Sequence, residues 1–398
     1  MNGMSINDHL AALANLDPGV YNGDVLATWK LGDAGVRFLA HAASALRGLA
    51  AAGVSARAFD TGLGLSIFRD NSTRTRHAFR AGCDLIGLAS EEMDEGQSQQ
   101  RHGETVRETA AMISFGTEVI GIRDDIYLGE GHRFMEEVSA AVDEAYREGA
   151  LVNRPALVNL QSDLDHPTQA MSDLCHLAEK WGGLEGIRGK KIAVTWAHSP
   201  SYGKPLSVPQ GSIGLLSRFG AHLVLAHPEG YDLEDEPIAA AKRFSAETGG
   251  SFTRASSMEE AFVGADAVYP KSWASAAVMR ERTRLLRAGE RAALSELEKQ
   301  ALAENARHMS WECDEAKMKA TRNGDALYLH CLPADISGVS CKNGEVTAPV
   351  FEKARLDTYR EASYKPYVIA AMILATRVKD PAAALARIAA RKSSLRVI

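Results

Sequence analysis

The chain has 398 residues, of which 45% are hydrophobic and 24% are charged. This composition excludes a largely disordered protein, and the length predicts two domains with separate cores. The 45 basic and 51 acidic residues give a net charge of −6, which disfavours general binding to nucleic acids or to membrane surfaces. No apolar run approaches the ~18 residues of a membrane span, and the first residues do not resemble a signal peptide.

The cysteines are few and widely spaced, with no Cys-x-x-Cys pair among them. They are Cys83, Cys175, Cys313, Cys331 and Cys341. An odd number at such spacing indicates reduced thiols rather than a disulfide scaffold or a zinc site. We therefore expect a soluble enzyme of the cytoplasm.

In the first half of the chain, short apolar runs alternate with longer segments of helical period. The runs predict strands at 64–68, 118–122 and 156–160, and the longer segments predict helices at 73–88 and 166–181. Gly182 and Gly183 follow the last helix as a glycine C-cap. We expect the first domain to end there, at residue 182.

A second alternating series follows this boundary. Strands are expected at 190–196, 222–226, 267–269 and 326–329, and helices at 211–219 and 237–248. The alternation predicts an α/β fold with two doubly wound parallel-sheet domains, 1–182 and 183–365. The final segment, 366–398, is apolar on one face at its start, and we expect it to pack back on the first domain.

The sequence DNSTRTR at 70–76 joins a predicted strand to a predicted helix. A helix N-terminus offers unpaired backbone N–H groups and a partial positive charge. The hydroxyls of Ser72, Thr73 and Thr75 add donors, and Arg74 can hold two anionic oxygens in a fork. The segment therefore predicts a phosphate site; the alternative is an ordinary capped helix with solvated arginines.

Two further motifs each have a functional and a structural interpretation. In HPTQ at 166–169, His166 and Gln169 share one side of a helical turn and could hold a carbonyl or amide, or the motif could simply cap the helix. HCLP at 330–333 ends a buried strand at the edge where α/β sheets bind ligands. Cys331 could be a nucleophile, but no third orienting group is evident and buried cysteines are usually inert.

The sequence lacks the more specific motifs that mark known cofactor, metal and nucleophile sites. It contains no GxxxxGK[ST] phosphate loop, no HExxH zinc helix and no GxSxG nucleophile turn, and Gly62-Leu63-Gly64 lacks the third glycine of a dinucleotide site. We therefore expect neither a metal nor an organic cofactor.

In this order and on this α/β background, the three motifs resemble those of the aspartate and ornithine carbamoyltransferase superfamily. The resemblance covers roughly residues 60–375 and includes 121–123, 227–231 and 345–347. The sequence WAHSPSYGKPL at 196–206 is similar to the proline-rich loop of the knotted transcarbamylases, and several segments are most similar to the YgeW-type subgroup. The resemblance implies a transcarbamylase fold with a knot in the second domain.

The resemblance also implies that the first domain binds carbamoyl phosphate and the second binds an amino acceptor. The residues it assigns to carbamoyl phosphate are Ser72, Thr73, Arg74, Thr75, Gln99, Arg123, His166, Gln169, Cys331 and Leu332. It assigns catalysis to Arg74, Arg123, His166 and Gln169, with neutral His166 polarising the carbonyl oxygen. In the family the loop equivalent to Gln99 reaches the neighbouring subunit's site, which implies a homotrimer.

The acceptor site departs from the ornithine enzymes. They carry an aspartate where this chain has Lys271, and Asn-Arg where it has Tyr364-Lys365. Because lysine repels a free α-ammonium group, we predict an acceptor other than ornithine. We expect a small amine or amide whose carboxylate is held by Lys271 and Lys365, with Trp273 as an apolar wall. The alternative is that these lysines are solvated at the cleft rim.

These inferences predict a carbamoyltransferase that could also run in reverse, splitting a ureido compound with phosphate. The alternative is a catalytically silent trimer that binds carbamoyl phosphate or has a regulatory role. A phosphotransferase of another kind is disfavoured, because the sequence has no metal-binding carboxylate motif. The expected partners are small-molecule substrates and further copies of the chain, with no nucleic acid and no membrane.

Overall fold

A computed structural model describes residues 4–93 and 103–394 of the chain. The chain divides into two compact units. The first contains the residues up to 125 together with 130–175 and the residues from 363 onwards, and the second contains 126–129 and 176–362.

The first unit alternates helices and strands. Its helices are α1 (Ile6–Leu13), α2 (Asp33–Ala51), α3 (Arg74–Ile86), α4 (Val106–Ile113), α5 (Gly131–Arg147), α14 (Lys365–Arg377) and α15 (Pro381–Arg391). Its strands are β1 (Leu63–Phe68), β2 (Ala89–Met93), β3 (Thr117–Asp124) and β4 (Ala156–Ser162). Helix α6 (Pro167–Trp181) begins in this unit and ends in the second.

The sheet of the first unit has the order β2-β1-β3-β4, and all its pairs are parallel. The chain leaves β1 toward β2 on one side and returns to β3 on the other, so the strand order reverses between β1 and β3. Open α/β sheets bind ligands beyond the carboxyl ends of the strands at such a reversal. The segments that follow β1 and β3 are therefore the favoured place for a ligand in this unit.

Burial of both faces of the sheet explains why the continuous apolar runs of the sequence form its strands. Every residue of β4 is buried, and a parallel sheet covered by helices selects such continuous apolar runs. On the helical side, α14 is buried around most of its circumference and packs against α2 and α3. The contact with α3 requires Gly82, because a Cβ there would lie 2.8 Å from the carbonyl oxygen of Pro366.

The second unit contains a second parallel sheet. Its strands are β5 (Lys191–Trp196), β6 (His222–Ala226), β7 (Ser251–Ala255), β8 (Ala267–Lys271), β9 (Leu327–Tyr328), β10 (Ile336–Ser337) and β11 (Val346–Thr347). Its helices are α7 (Ser207–Leu216), α8 (Asp235–Thr248), α9 (Met258–Phe262), α10 (Ala276–Ala288), α11 (Arg291–Asn305), α12 (Glu315–Lys319) and α13 (Ala348–Ala362).

The five-stranded sheet of this unit has the order β7-β6-β5-β8-β9, with a separate parallel pair β10-β11. Here the strand order reverses between β5 and β8. Three connections leave the carboxyl edge close to this reversal: the one after β5, the one after β8 and the one after β9. They contain, in this order, the proline-rich loop, the residues Ser272 and Trp273 that follow Lys271, and the HCLP motif.

Most of the predicted elements are confirmed, and the fold consists of two parallel-sheet α/β domains. The helix expected at 211–219 is wrong at its start, since α7 begins at Ser207. The helix includes Pro209, because proline is tolerated in a first helical turn, where its missing N–H has no intrahelical partner anyway. The strand expected at 326–329 is reduced to two residues of β9.

The helix before the predicted boundary ends as expected, with Gly182 in the left-handed region (φ 78°). The assignment of 1–182 and 183–365 to the two substrates stays a prediction, as does the knot. Among the described residues, no helix is both long and apolar enough to cross a membrane.

Candidate active site

The connection from β1 to α3 lies at the carboxyl edge of the first unit's sheet. Thr75 is buried and its backbone N–H donates to Ser72 Oγ at 3.3 Å, while Thr73 and Arg74 are exposed at the start of the helix. Within the described residues, the hydroxyl of Thr73 makes no capping hydrogen bond. The first turn of α3 therefore presents backbone N–H groups, hydroxyls and a guanidinium on one side, a donor set suited to an anion.

Arg123, near the end of β3, is held by three oxygen acceptors. Its Nη1 donates to Gln161 Oε1 at 2.5 Å, and its Nη2 donates to Asp70 Oδ2 at 3.2 Å and to Asp125 Oδ2 at 3.0 Å. Nε is buried and has no hydrogen-bond partner among the described residues. The side chain is thus fixed in direction, with two of its five N–H groups, on Nε and Nη1, left over to donate.

The two carboxylates at Arg123 differ in exposure. Asp125 is buried, whereas the side chain of Asp70 is partly exposed. Burial raises the pKa of Asp125 to about 7; the charge of Arg123 opposes this rise and the neighbouring Asp70 and Asp124 add to it. Around neutral pH the carboxyl group of Asp125 is therefore close to half protonated.

His166 precedes α6 and is almost fully buried. Burial lowers its pKa well below the ordinary value, and the nearby cations Lys365, Arg123 and Arg74 lower it further. The imidazole is therefore neutral at physiological pH. Its Nδ1 lies 3.2 Å from the hydroxyl of Thr168, which fixes the orientation of the ring.

Gln169 lies in the first turn of α6, and its Nε2 donates to Asp173 Oδ1 at 2.6 Å. Just before the helix, fully buried Asp165 accepts from the backbone N–H of Thr28 at 2.6 Å and from its hydroxyl at 2.9 Å. Burial nevertheless raises the pKa of Asp165 to about 7. These hydrogen bonds connect the start of α6 to the N-terminal segment around Thr28, to which no role could be assigned from the sequence.

Of the predicted carbamoyl-phosphate residues, seven lie in the first unit, near the end of β3 or on the segments after β1 and β4: Ser72, Thr73, Arg74, Thr75, Arg123, His166 and Gln169. Cys331 and Leu332 belong to the second unit. Gln99 lies outside the described residues. The roles of all these residues stay predictions.

In the second unit, the fully buried carboxylate of Glu345 is surrounded by donors. Its Oε1 accepts from Lys271 Nζ at 2.9 Å and from the backbone N–H of Ser272 at 2.8 Å. Lys204 Nζ lies 3.4 Å from the same oxygen. Burial alone would raise the pKa of Glu345, but the charges of Lys271 and Lys204 hold it well below its usual range.

His330 connects Glu345 to the HCLP segment. The backbone N–H of Leu332 donates to His330 Nδ1 at 2.9 Å, so this nitrogen is unprotonated and Nε2 carries the hydrogen. Nε2 then donates to Glu345 Oε2 at 3.1 Å. Burial lowers the pKa of His330 despite the adjacent Glu345, so the ring is neutral. It fixes the backbone at Leu332, which has φ 53°, a strained value for a side chain of this size.

Lys204, from the proline-rich loop, completes the cluster. Its Nζ donates to Asp335 Oδ2 at 2.6 Å, and Ser199 in the same loop donates to the same oxygen at 2.6 Å. The two lysines and the two carboxylates balance in formal charge, with Lys271 and Glu345 buried and Lys204 and Asp335 partly exposed. Three separate connections of the carboxyl edge are thereby held together.

The predicted acceptor residues divide between the two units. Lys271 is buried and engaged by Glu345, so a carboxylate ligand would compete with that contact. Trp273 is 1% exposed and its indole N–H donates to the carbonyl of Tyr231 at 2.8 Å, which leaves a ligand little of its surface. Lys365 lies in the first unit, where its charge acts on His166. Their roles in acceptor binding stay predictions.

Several residues of these two groups were not predicted as site residues: Asp70, Asp125, Gln161, Lys204, His330, Asp335 and Glu345. Asp125 had a signal in the sequence, because it follows Arg123 by two positions at the end of a predicted strand. His330 lies inside the HCLP motif itself. Glu345 could have been suspected only from its position in the matching segment 345–347.

Two family models match the chain. One is described as the aspartate/ornithine carbamoyltransferase, carbamoyl-P binding domain, and matches residues 24–179. The other is described as the aspartate/ornithine carbamoyltransferase, Asp/Orn binding domain, and matches residues 207–376. Together they cover most of the chain.

Curated relatives agree with the family models. A protein named "Putative carbamoyltransferase YgeW" from Escherichia coli strain K12 is 56% identical over 381 residues, which is 96% of each chain. The ornithine carbamoyltransferase of Bacillus subtilis strain 168 is 27% identical over 315 residues, covering 79% of this chain and 82% of the relative.

Solved structures share the fold. The ornithine carbamoyltransferase from Pyrococcus furiosus superimposes with a TM-score of 0.70 at 22% identity, covering 90% of this chain and 98% of the other. An acetylornithine transcarbamylase complexed with acetylcitrulline gives a TM-score of 0.69 at 20% identity, covering 88% and 97%.

Proposed function

The chain belongs to the aspartate/ornithine carbamoyltransferase family, and we propose that it transfers the carbamoyl group of carbamoyl phosphate to the nitrogen of a small acceptor, other than ornithine, that carries a carboxylate. The observation that carries the proposal is the donor set at the carboxyl edge of the first unit. There the first turn of α3 follows β1, Arg123 lies near the end of β3, and neutral His166 follows β4.

We propose that Ser72, Thr73, Arg74 and Thr75 bind the phosphate group. Backbone N–H groups at a helix start and a guanidinium fork are suited to its charged oxygens. Arg123 contacts both the phosphate and the carbonyl oxygen, because its fixed guanidinium keeps two N–H groups unused within the described residues, one on Nε and one on Nη1. His166 and Thr75 add hydrogen bonds to the carbonyl oxygen.

The acceptor nitrogen then attacks the carbonyl carbon, the C–O bond to phosphate breaks, and phosphate leaves with the electron pair. Gln169 accepts a hydrogen bond from the carbamoyl NH₂. Fixed donors stabilise the tetrahedral oxyanion without a covalent enzyme intermediate. The same residues serve the reverse reaction, in which phosphate attacks a ureido compound and releases carbamoyl phosphate.

This proposal predicts acceptor-dependent release of phosphate from carbamoyl phosphate. The assay screens a panel of amino, diamino and ureido acids with wild-type protein, Arg74→Ala and Arg80→Ala. Arg80 lies on the same helix with an exposed side chain, so it is a matched control. We expect Arg74→Ala to abolish the release and Arg80→Ala to retain it.

Binding of carbamoyl phosphate without turnover on any acceptor, in either direction, would favour the silent binding protein. Absence of binding by the wild-type protein would contradict the proposal altogether.

We further propose a homotrimer, for which light scattering in solution should give three times the mass of one chain.

For the acceptor, we propose that Lys271 binds the carboxylate. Lysine in place of a carboxylate favours an anionic group. The contact with Glu345 supports this role as well, because it orders the side chain of Lys271 on the strand end beside the connection after β8. An acceptor carboxylate would exchange with, or join, the Glu345 oxygen at Nζ.

We expect Lys271→Met to raise the acceptor KM at least tenfold and to leave the KM for carbamoyl phosphate unchanged. This variant also leaves the buried charge of Glu345 less compensated. The matched variant is therefore Lys271→Met with Glu345→Gln, in which the two opposite charges disappear together. If the double variant folds like the wild type and keeps the wild-type acceptor KM, Lys271 does not bind the acceptor.

A further inference from the structure

The candidate phosphate site contains two carboxylates where an anion is expected to bind. Asp70 and Asp125 both accept from one nitrogen of Arg123, at 3.2 and 3.0 Å. A single guanidinium balances only one of their two negative charges. A dianion that approaches Arg123 would therefore meet the second carboxylate at close range.

The other charged groups around this pair are cations and carboxylates that largely balance one another, with Arg74 as a further cation at the start of α3. Asp124 adds a negative charge. Arg69, which follows β1, pairs with it through Nη1 and Oδ2 at 3.2 Å. On α3, Arg76 donates to the backbone carbonyl of Asp70 at 3.4 Å, while its charge is paired with Glu92. On the β4 side, the acceptor at Arg123 is the neutral amide of Gln161.

Asp125 is the member of the pair that can be neutralised by a proton. It is 4% exposed, and its Oδ1 has no hydrogen-bond partner among the described residues. A buried carboxylate oxygen without a donor favours the protonated group, whose O–H can donate to Asp70. The raised pKa of Asp125 agrees with this geometry.

We propose that Asp70 and Asp125 are positioning residues that hold Arg123 before the anion binds, and that Asp125 takes up one proton when carbamoyl phosphate binds. The inference rests on the proposed function. In balanced form, the Asp125 carboxylate, one proton and the dianion give protonated Asp125 beside the bound dianion. The proton removes the repulsion and leaves Arg123 shared between Asp70 and the ligand.

The proposal fixes the sign of a pH dependence. Above the pKa of free Asp125, about 7, each bound dianion requires a proton from solution, so the affinity falls by up to about tenfold per pH unit. Below this pKa the proton is already present and the affinity no longer changes through Asp125. Hence the KM for carbamoyl phosphate should rise as the pH increases from 7 to 9.

The experiment is calorimetric titration of the full-length protein with carbamoyl phosphate at pH 8, in two buffers of different ionisation enthalpy. We expect the wild type to take up close to one proton more than Asp125→Asn. Titration of the ligand itself contributes equally to both and cancels in the difference. Asp84→Asn, an exposed position on α3, is the matched control and should behave like the wild type.

Equal proton uptake by the wild type and Asp125→Asn would overturn the proposal. If Asp125→Asn does not fold, the wild type is compared with Asp70→Asn at pH 7 instead, so that titration of the ligand again cancels, and the variant should take up more of a proton because its free Asp125 is more fully ionised. Asp70→Asn gives a second readout: it removes the neighbouring charge and should move the break in the KM profile to lower pH. Failure of the wild type to bind carbamoyl phosphate at all would contradict the proposed function instead.

Discussion

Replacing Glu345 with alanine is expected to lower the free energy of unfolding of the second unit by about 3–5 kcal/mol, the usual cost of removing one partner from a buried ion pair. The carboxylate is fully buried and receives hydrogen bonds from Lys271, from His330 and from the backbone N–H of Asp335 at 2.8 Å. Without it, the ammonium of Lys271 remains buried beside a cavity.

The loss should be measured as a lower thermal midpoint and as faster amide hydrogen exchange. Exchange should increase first at the N–H groups of Ser272 and Leu332, because the network holds both through Glu345 and His330. Glu352→Ala on α13 is the control, since this glutamate has an exposed side chain and pairs only with the neighbouring turn through Arg355. We expect little change in that variant.

A charge-neutral pair of substitutions distinguishes the ion pair from simple packing. Glu345→Gln together with Lys271→Met removes both charges and keeps most of the volume, so it should recover much of the stability that Glu345→Ala loses. If Glu345→Ala unfolds at the wild-type temperature with unchanged exchange at Ser272, the carboxylate does not hold this edge together.

The strands that carry the site could be predicted from the sequence, since buried parallel strands form continuous apolar runs. β1, β3, β4, β5 and β8 all lie within a few residues of their expected positions. The motifs DNSTRTR, HPTQ and HCLP follow or end such runs, so their place at the carboxyl edge could be predicted as well. The local pattern of apolar residues was sufficient to predict both the strands and the position of the motifs at their carboxyl ends.

The partners of the site residues could not be predicted in this way. Arg123 meets Asp70 across 53 positions, and Lys271 meets Glu345 across 74. These contacts depend on which strands are neighbours, and an alternation of strands and helices is compatible with several strand orders. For the same reason Lys271 was expected to be available to a ligand, whereas the fold pairs it with a buried carboxylate.

Both units hold their cations in place with carboxylates at the edge of a sheet. In the first unit Asp70 and Asp125 accept hydrogen bonds from Arg123 and orient its side chain. In the second, Glu345 does the same for Lys271. A cation that is already oriented needs no rearrangement when an anion or a developing negative charge reaches it. The cost is weaker binding, because the ligand must compete with the resident carboxylate.

Replacing His166 with alanine is expected to lower kcat for carbamoyl transfer by about 10²–10³-fold, the usual effect of losing one fixed donor to an oxyanion. The protein should bind carbamoyl phosphate nearly as before, because the proposed phosphate contacts come from α3 and Arg123. Steady-state kinetics on the best acceptor of the panel would measure both constants. His77→Ala, an exposed position on α3, is the control and should keep wild-type activity.

The pH profile tests whether His166 acts as a neutral donor. Its pKa lies well below the ordinary value of 6.5 because the ring is buried and three cations, Lys365, Arg123 and Arg74, oppose its protonation. The ring is therefore neutral throughout the range from pH 6 to 8, and kcat should show no ionisation of His166 there. A titration near pH 6.5 that is present in the wild type and lost in a weakly active His166→Gln variant would mean that the imidazole exchanges a proton during the reaction. The oxyanion would then be stabilised by Arg123 and Thr75 without a neutral imidazole, and His166 would be a general acid or base.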